Sequence, residues 1–445
     1  MVYVELQNYV LKQGREYFGK NARLLKQMKS SETDKKFFPG FTNVTLPLWA
    51  NGIGISSENY ILIPSYCCTK SVDEASWEDC DWFTAAFSLM TGETEEWFEL
   101  NNGCIHSYSS KLPSWFHPAF ERAWVNRIFL FLRRWYAVKN NIDETAVFGP
   151  VPIARLYLTH DVDAVSKTNI LKMKRISLDI FNSLHLLKRK RFNDVVEKLR
   201  KTWRYSVRGN TYDYFDHIMR LEKKHSRSSI FFIYSKIKRD PINAVLSYVF
   251  DPSYDLNKSQ TRYLIQKVRS NGGKIGLHQS FLSWNRKGKT DAELQHLSSS
   301  FSTGVVACRQ HWLRFSWQET WATQANAGLT FDFTLGFNDR PGFRNSAALK
   351  MQVINRQLGT KNRKFYSIPM LLMDQHLFDH QTLSVDEQRK QIDHFLQELK
   401  DVGGVASVNW HHRVFDKADY GWGSIYGYLL RKSDEIGISQ PPAFG

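Results

Sequence analysis

LYLTHDVDAV, residues 156–165, is the stretch on which the fold turns. Leu156, Tyr157 and Leu158, led in by Ile153 and Ala154, make a short apolar run of strand type. The run ends in His160, Asp161 and Asp163. A buried strand that ends in an imidazole and two carboxylates needs a reason, because such groups do not belong in a core unless they are paired or used.

Working outward, the same rhythm repeats. After residue 151 short apolar runs recur at ARLYLTH, SSIFFIY, GKIGLHQ, GVVACRQH, LTFDFTLG, FYSIPMLL and GVASVNWHH, with helical patterns between most of them. TDAELQHL and SVDEQRKQIDHFLQELKDVGG each open on a capping-box pattern, Thr290 with Glu293 and Ser384 with Glu387. Gly403 and Gly404 are a plausible stop for the second. Seven strands alternating with helices predict an α/β fold, a parallel (β/α)7 barrel over residues 151–445. Residues 1–150 have a different, aromatic-rich texture and form a smaller accessory α/β domain in this reading. Its PAFERAWVNRIFLFLRRWYAVKNN has helical spacing and predicts a long buried helix. DETAVFGPVP, with Gly149, Pro150 and Pro152, reads as the linker.

The chain has 445 residues, 42% hydrophobic, and an excess of sixteen positive charges. That excess attracts phosphates, sugar nucleotides, nucleic acid or an anionic membrane without choosing among them. Residues 172–208 carry twelve Lys or Arg against three acidic residues, over half of the net charge. Docking to an anionic membrane surface or a lipid-linked phosphate is the functional reading of that segment, and a solvated helical face the plainer one. No nucleic-acid module accompanies the charge, which counts against nucleic acid. No apolar run reaches the roughly 18–20 residues that cross a bilayer. The N-terminus does not read as a signal peptide, and the five cysteines have no zinc-ribbon spacing. These features lead to the expectation of a cytoplasmic protein with reduced thiols, working in solution or at the inner membrane face.

In parallel α/β barrels the active site lies at the C-terminal ends of the strands. Here those ends carry His160, Asp161 and Asp163, then His278, then Arg309 and His311, then Asp374 with Gln375, then His411 and His412. One Asp and two His can hold a divalent metal and leave positions open for water and substrate. A second Asp can take a proton from that water, and another His can protonate a leaving nitrogen. The residues alone point to metal-assisted hydrolysis of an amide or ester.

Taken in order, THDVD, KIGLHQSFLS, CRQHWLRF, AGLTFDFTLGF with GFR, IPMLLMD and NWHH resemble the polysaccharide deacetylase family, also called NodB-homology or carbohydrate esterase family 4. The likeness is nearest to a bacterial HDVD-type branch with an N-terminal extension. It covers residues 151–420 by motif and reaches weakly into the first 150 through DWFTAAFSLMTGETEEW. The resemblance implies a distorted (β/α) barrel, a divalent metal with zinc first, and removal of acetyl from an N-acetylated sugar. It implies Asp161 as base, Asp163 and His278 as metal ligands, Arg309 as the group orienting the base, and His411 as general acid. Asp374 is the best match for the carboxylate supporting His411, with Asp332 second. The family's second motif has another His four residues after the first, where this chain has Leu282. His311, on the neighbouring strand end, is expected to supply the missing ligand, and His160 is a third candidate that strand alternation turns away from Asp161.

Arg344 in GFNDRPGFR is expected to meet a substrate phosphate or carboxylate, Trp312 to stack on a sugar, and His412 to face substrate; Trp284 and Trp317 are alternative stacking aromatics. The expected partner is an N-acetylated saccharide, as a sugar nucleotide or lipid-linked glycan of surface-polysaccharide synthesis. Leu282 also keeps open a non-catalytic glycan-binding or scaffolding protein on the same barrel. A third reading is hydrolysis of another amide, such as a cyclic ureide.

Overall fold

The structure, a computed structural model, describes residues 3–28, 37–50, 59–69, 76–166, 169–188, 192–207, 214–237, 244–252, 254–301, 304–358, 364–378, 383–415 and 423–442. Its strands are β1 (Phe41–Thr45), β2 (Tyr60–Pro64), β3 (Arg155–Val162), β4 (Ser229–Tyr234), β5 (Lys274–Gln279), β6 (Ala307–Gln310), β7 (Phe331–Asp332), β8 (Met351–Gln352), β9 (Tyr366–Ser367), β10 (Met370–Met373) and β11 (Val405–Asn409). With the helices between them they make a mixed α/β protein. The chain forms two compact units, and the division passes through β3 and β11.

The unit that carries the strand-end residues comprises Leu158–His311 and Asn409–Arg431. Here β3, β4, β5 and β6 run parallel in that order. Every residue of β4 is buried, as is β3 from Leu156 on, so β4 reads as an apolar run and β3 as one only up to Leu158. Parallel registry pairs Asp161 with Phe232, Tyr234 with His278, and His278 with Arg309. The C-terminal ends of four strands are thereby level. Trp410 N–H donates to the Thr159 carbonyl at 2.9 Å and brings the residues after β11 alongside β3.

The other unit comprises Met1–Tyr157, Trp312–Val408 and Lys432–Gly445. It contains the antiparallel β1–β2 pair, β7 parallel to β9, and β8 antiparallel to β9. The anticipated long helix is Trp124–Lys139, with Ile128, Phe129, Phe131 and Leu132 fully buried. Its buried Arg127 donates through Nε to Glu398 Oε1 at 2.9 Å, so a carboxylate on the Val385–Asp401 helix neutralises a cation inside the core. The residues read as a linker include a short helix, Glu144–Phe148, capped by Asp143.

Local signals held in part. Ser384 and Glu387 form the reciprocal capping box, and Gly403 takes φ +62 just past the helix end. A Cβ there would lie 2.1 Å from the Pro152 carbonyl oxygen, so glycine is required twice over. Thr290 is not a cap, because its helix begins three residues earlier, at Lys287. Tertiary contacts claim both supposed box residues: Thr290 Oγ1 donates to the Ser283 carbonyl at 3.2 Å, and Glu293 accepts from the Ser280 N–H at 3.2 Å. FYSIPMLL is two strands, β9 and β10, interrupted at Pro369, which has no N–H to give a ladder.

Candidate metal and acid–base site

Strand alternation puts Thr159 and Asp161 on one face of β3. Arg309 Nη1 reaches both, at 2.7 Å from Thr159 Oγ1 and 3.1 Å from Asp161 Oδ1. The guanidinium lies 4.7 Å from the Phe232 ring centroid on the intervening β4 and is fully buried. Asn409 Nδ2 donates to the other oxygen, Asp161 Oδ2, at 2.9 Å. Burial alone raises the Asp161 pKa. Arg309, His278 and His411 outweigh it and leave the carboxyl below its ordinary value.

Asp163 sits just past β3, where the strand gives way to a bend. Its Oδ1 lies 3.4 Å from His278 Nε2 and 3.6 Å from His311 Nε2. One ligand atom from each of the three residues lies within 4.8 Å of the others. The far nitrogen of His278 indicates its neutral tautomer. His278 Nδ1 is 3.2 Å from the Arg309 carbonyl, which can only accept, so Nε2 is left with the lone pair. His311 Nδ1 faces Asp251 Oδ1 at 3.7 Å. The carbonyl behind His278 is the support that a metal-bound histidine ordinarily has, and Asp251 lies behind His311 beyond hydrogen-bond distance.

Asp163 Oδ1 and His278 Nε2 are buried atoms without a hydrogen-bond partner. An acceptor oxygen facing an imidazole lone pair is unfavourable unless a cation or a proton lies between them. The set of one carboxylate and two imidazoles suits a divalent transition metal, so the residues present fit such an ion. On the opposite side of the carboxylate, Arg413 Nη1 donates to Asp163 Oδ2 at 2.6 Å, and His411 Nε2 is 3.6 Å from the same oxygen. Burial opposes ionisation of Asp163, but Arg413 and the three histidines hold its pKa well below the ordinary value.

His160 points away from this cluster. Its Nε2 meets Glu222 Oε1 at 2.7 Å and its Nδ1 the Trp410 carbonyl at 2.6 Å, so both ring nitrogens are engaged. His412 is fully buried and stacks on Phe215 at 4.3 Å, and burial lowers its pKa to about 3. Leu282 is a buried apolar residue. Arg344, Asp374, Asp332 and Trp312, also singled out from the sequence, lie in the other unit. There Arg344 is fully buried and bonded to Glu95 and to the Gly336 carbonyl. Asp374 is fully buried and accepts the Gln375 N–H at 2.8 Å. Asp332 accepts from Trp321 Nε1 at 3.0 Å, and Trp312 is 42% exposed.

Three residues of the cluster were not anticipated. Asn409 and Arg413 bracket the motif histidines in NWHHR, and strand alternation from His411 points to Asn409. Asp251 follows a helix, and no periodicity singles it out.

No protein-family profile matches the chain, and no curated protein does. Solved structures show low-identity likenesses. A protein from Mycobacterium smegmatis, provisionally described as a polysaccharide deacetylase, shares 14% identity over 65% of this chain and 87% of its own, with a TM-score of 0.39. A mutant of a CE4-family pseudoenzyme with restored enzymatic activity shares 10%, covering 65% of each chain, with a TM-score of 0.31. A CE4-family pseudoenzyme from Bacillus anthracis shares 9% over 65% of this chain and 63% of its own, with a TM-score of 0.28.

Proposed function

We propose that the chain is a metal-dependent hydrolase that removes the acetyl group from an N-acetylated sugar of a surface polysaccharide or its precursor. The observation that carries this reading is the convergence of Asp163, His278 and His311, with two of the ligand atoms buried and lacking hydrogen bonds. Those three residues would hold the ion, zinc first among the candidates. When bound, a divalent ion polarises an acyl carbonyl and acidifies a water. Asp161 is the base and accepts the water proton on a carboxylate oxygen. Arg309 and Asn409 leave each oxygen a free lone pair while fixing its direction. His411 Nε2 delivers a proton to the departing amine.

The test is elemental analysis of purified wild type beside His311→Ala, with acetate release measured on a panel of N-acetylated sugars. About one divalent ion per chain, lost in the variant, together with acetate release is the expected result. Absence of metal after exposure to excess zinc and dialysis would overturn the hydrolase and favour a glycan-binding protein, the reading that Leu282 supports. Metal without acetate release on any sugar would overturn the substrate class alone.

A further inference from the structure

We propose that the helix pair Asn169–Lys188 and Phe192–Val207 docks this protein on an anionic lipid surface. The proposal is independent of the deacetylase reading. Met173, Ile180, Leu184 and Leu187 on the first helix are all exposed, Met173 at 67%. Their spacings of seven, four and three residues make one stripe. Phe192, Val196, Leu199 and Trp203 on the second helix repeat the pattern, with Trp203 exposed at 70%.

Among the described side chains, the contact between the helices combines polar groups with the buried Val195. Thr202 Oγ1 donates to Asp179 Oδ2 at 2.8 Å, Lys198 Nζ is 3.7 Å from Asp179 Oδ1, and Ser183 is buried nearby on the same face. A three-residue connection and the pairing of mid-helix Asp179 with Thr202 make the helices antiparallel. On each helix the apolar stripe lies roughly a quarter turn from the polar contact, in the same rotational sense at about 100° per residue. In an antiparallel pair that places both stripes on one side of the hairpin. A contiguous outward apolar face of this kind marks an interaction surface.

Charge selects the occupant. Residues 172–208 carry twelve Lys or Arg against three acidic residues. An anionic bilayer accepts both the apolar side chains and the cations, as interfacial amphipathic helices do. A second copy of the same face would oppose two strongly basic segments across a low-dielectric contact. Among the described residues no helix is long and apolar enough to cross a membrane, so the geometry is that of a helix pair lying in the interface, with Trp203 at the headgroup level.

The experiment is sedimentation of the full chain with vesicles of phosphatidylcholine alone, or with about one-third phosphatidylglycerol. The double variant Leu184→Ser/Trp203→Ser is run beside it, with circular dichroism to establish that it is folded. Wild type is expected to partition onto the anionic vesicles, and the variant to lose about tenfold or more of that partitioning. Three outcomes would overturn the proposal. Wild type stays in solution with anionic vesicles. The variant partitions as well as wild type, which leaves charge alone. Light scattering shows a wild-type dimer that the variant converts to monomer, which assigns the face to a second copy. Vesicle binding is read without turnover, so its failure leaves the hydrolase test untouched.

Discussion

Arg413 Nη1 lies 2.6 Å from Asp163 Oδ2, while Oδ1 of the same carboxylate is buried with no hydrogen bond and faces His278 and His311. One carboxylate thus has two differently used oxygens. The cation fixes the rotamer and favours the ionised form, and the other oxygen is presented to the two imidazoles.

Arg413→Ala is expected to weaken divalent-metal affinity by about 10- to 100-fold, because Asp163 loses the partner that orients it. Competition against a chromophoric chelator measures this. Affinity that is unchanged or tighter would mean that relief of cation–metal repulsion outweighs the lost orientation.

Asp161→Asn keeps the shape that Arg309 and Asn409 grip but removes the proton acceptor. Acetate release is expected to fall by about 10²- to 10⁴-fold, with metal content at the wild-type level. Survival of turnover would show that another group is the base. Loss of metal would show that Asp161 helps hold the ion.

Glu293 gives a pH-dependent stability. It is buried, accepts hydrogen bonds from Ser280 N–H and Oγ–H, and has its pKa raised by burial from 4.5 to about 7. Between those values the folded state binds more proton than the unfolded one. Stability therefore falls as pH rises through the window. Glu293→Gln can still accept from Ser280 N–H and carries no charge. It should raise stability at pH 8 relative to pH 5 by about 1–3 kcal/mol compared with wild type. Urea unfolding at the two pH values decides. Parallel pH dependence in both proteins would mean that Glu293 does not set it.

Much of this arrangement is legible in the chain. The apolar runs of β3, β4, β5 and β6 mark strands, and the polar residues at their ends lie where parallel pairing makes them neighbours. Leu282 at the position where the resemblance implies a histidine, with His311 one strand later, needed only motif order to be noticed. Other features were opaque. Thr290 and Glu293 match a capping box by spacing, yet partners elsewhere in the fold outcompete that local arrangement. Arg344 in a turn-rich loop reads as a contact for a substrate phosphate or carboxylate, but Glu95, far away in sequence, draws it into the core.

The sequence by itself determined that β3 to β6 and β11 are strands, that ionisable groups stand at their ends, and that residues 172–208 are both basic and helically patterned. Those properties depend on periodicity of two or 3.6 and on composition, which are local. Only the tertiary structure decided that Asp251 lies behind His311, that Arg413 takes one oxygen of Asp163, and that the hairpin's apolar stripes face outward. Periodicity defines a face but not what covers it, and a hydrogen-bond partner more than a hundred residues away leaves no mark on local pattern.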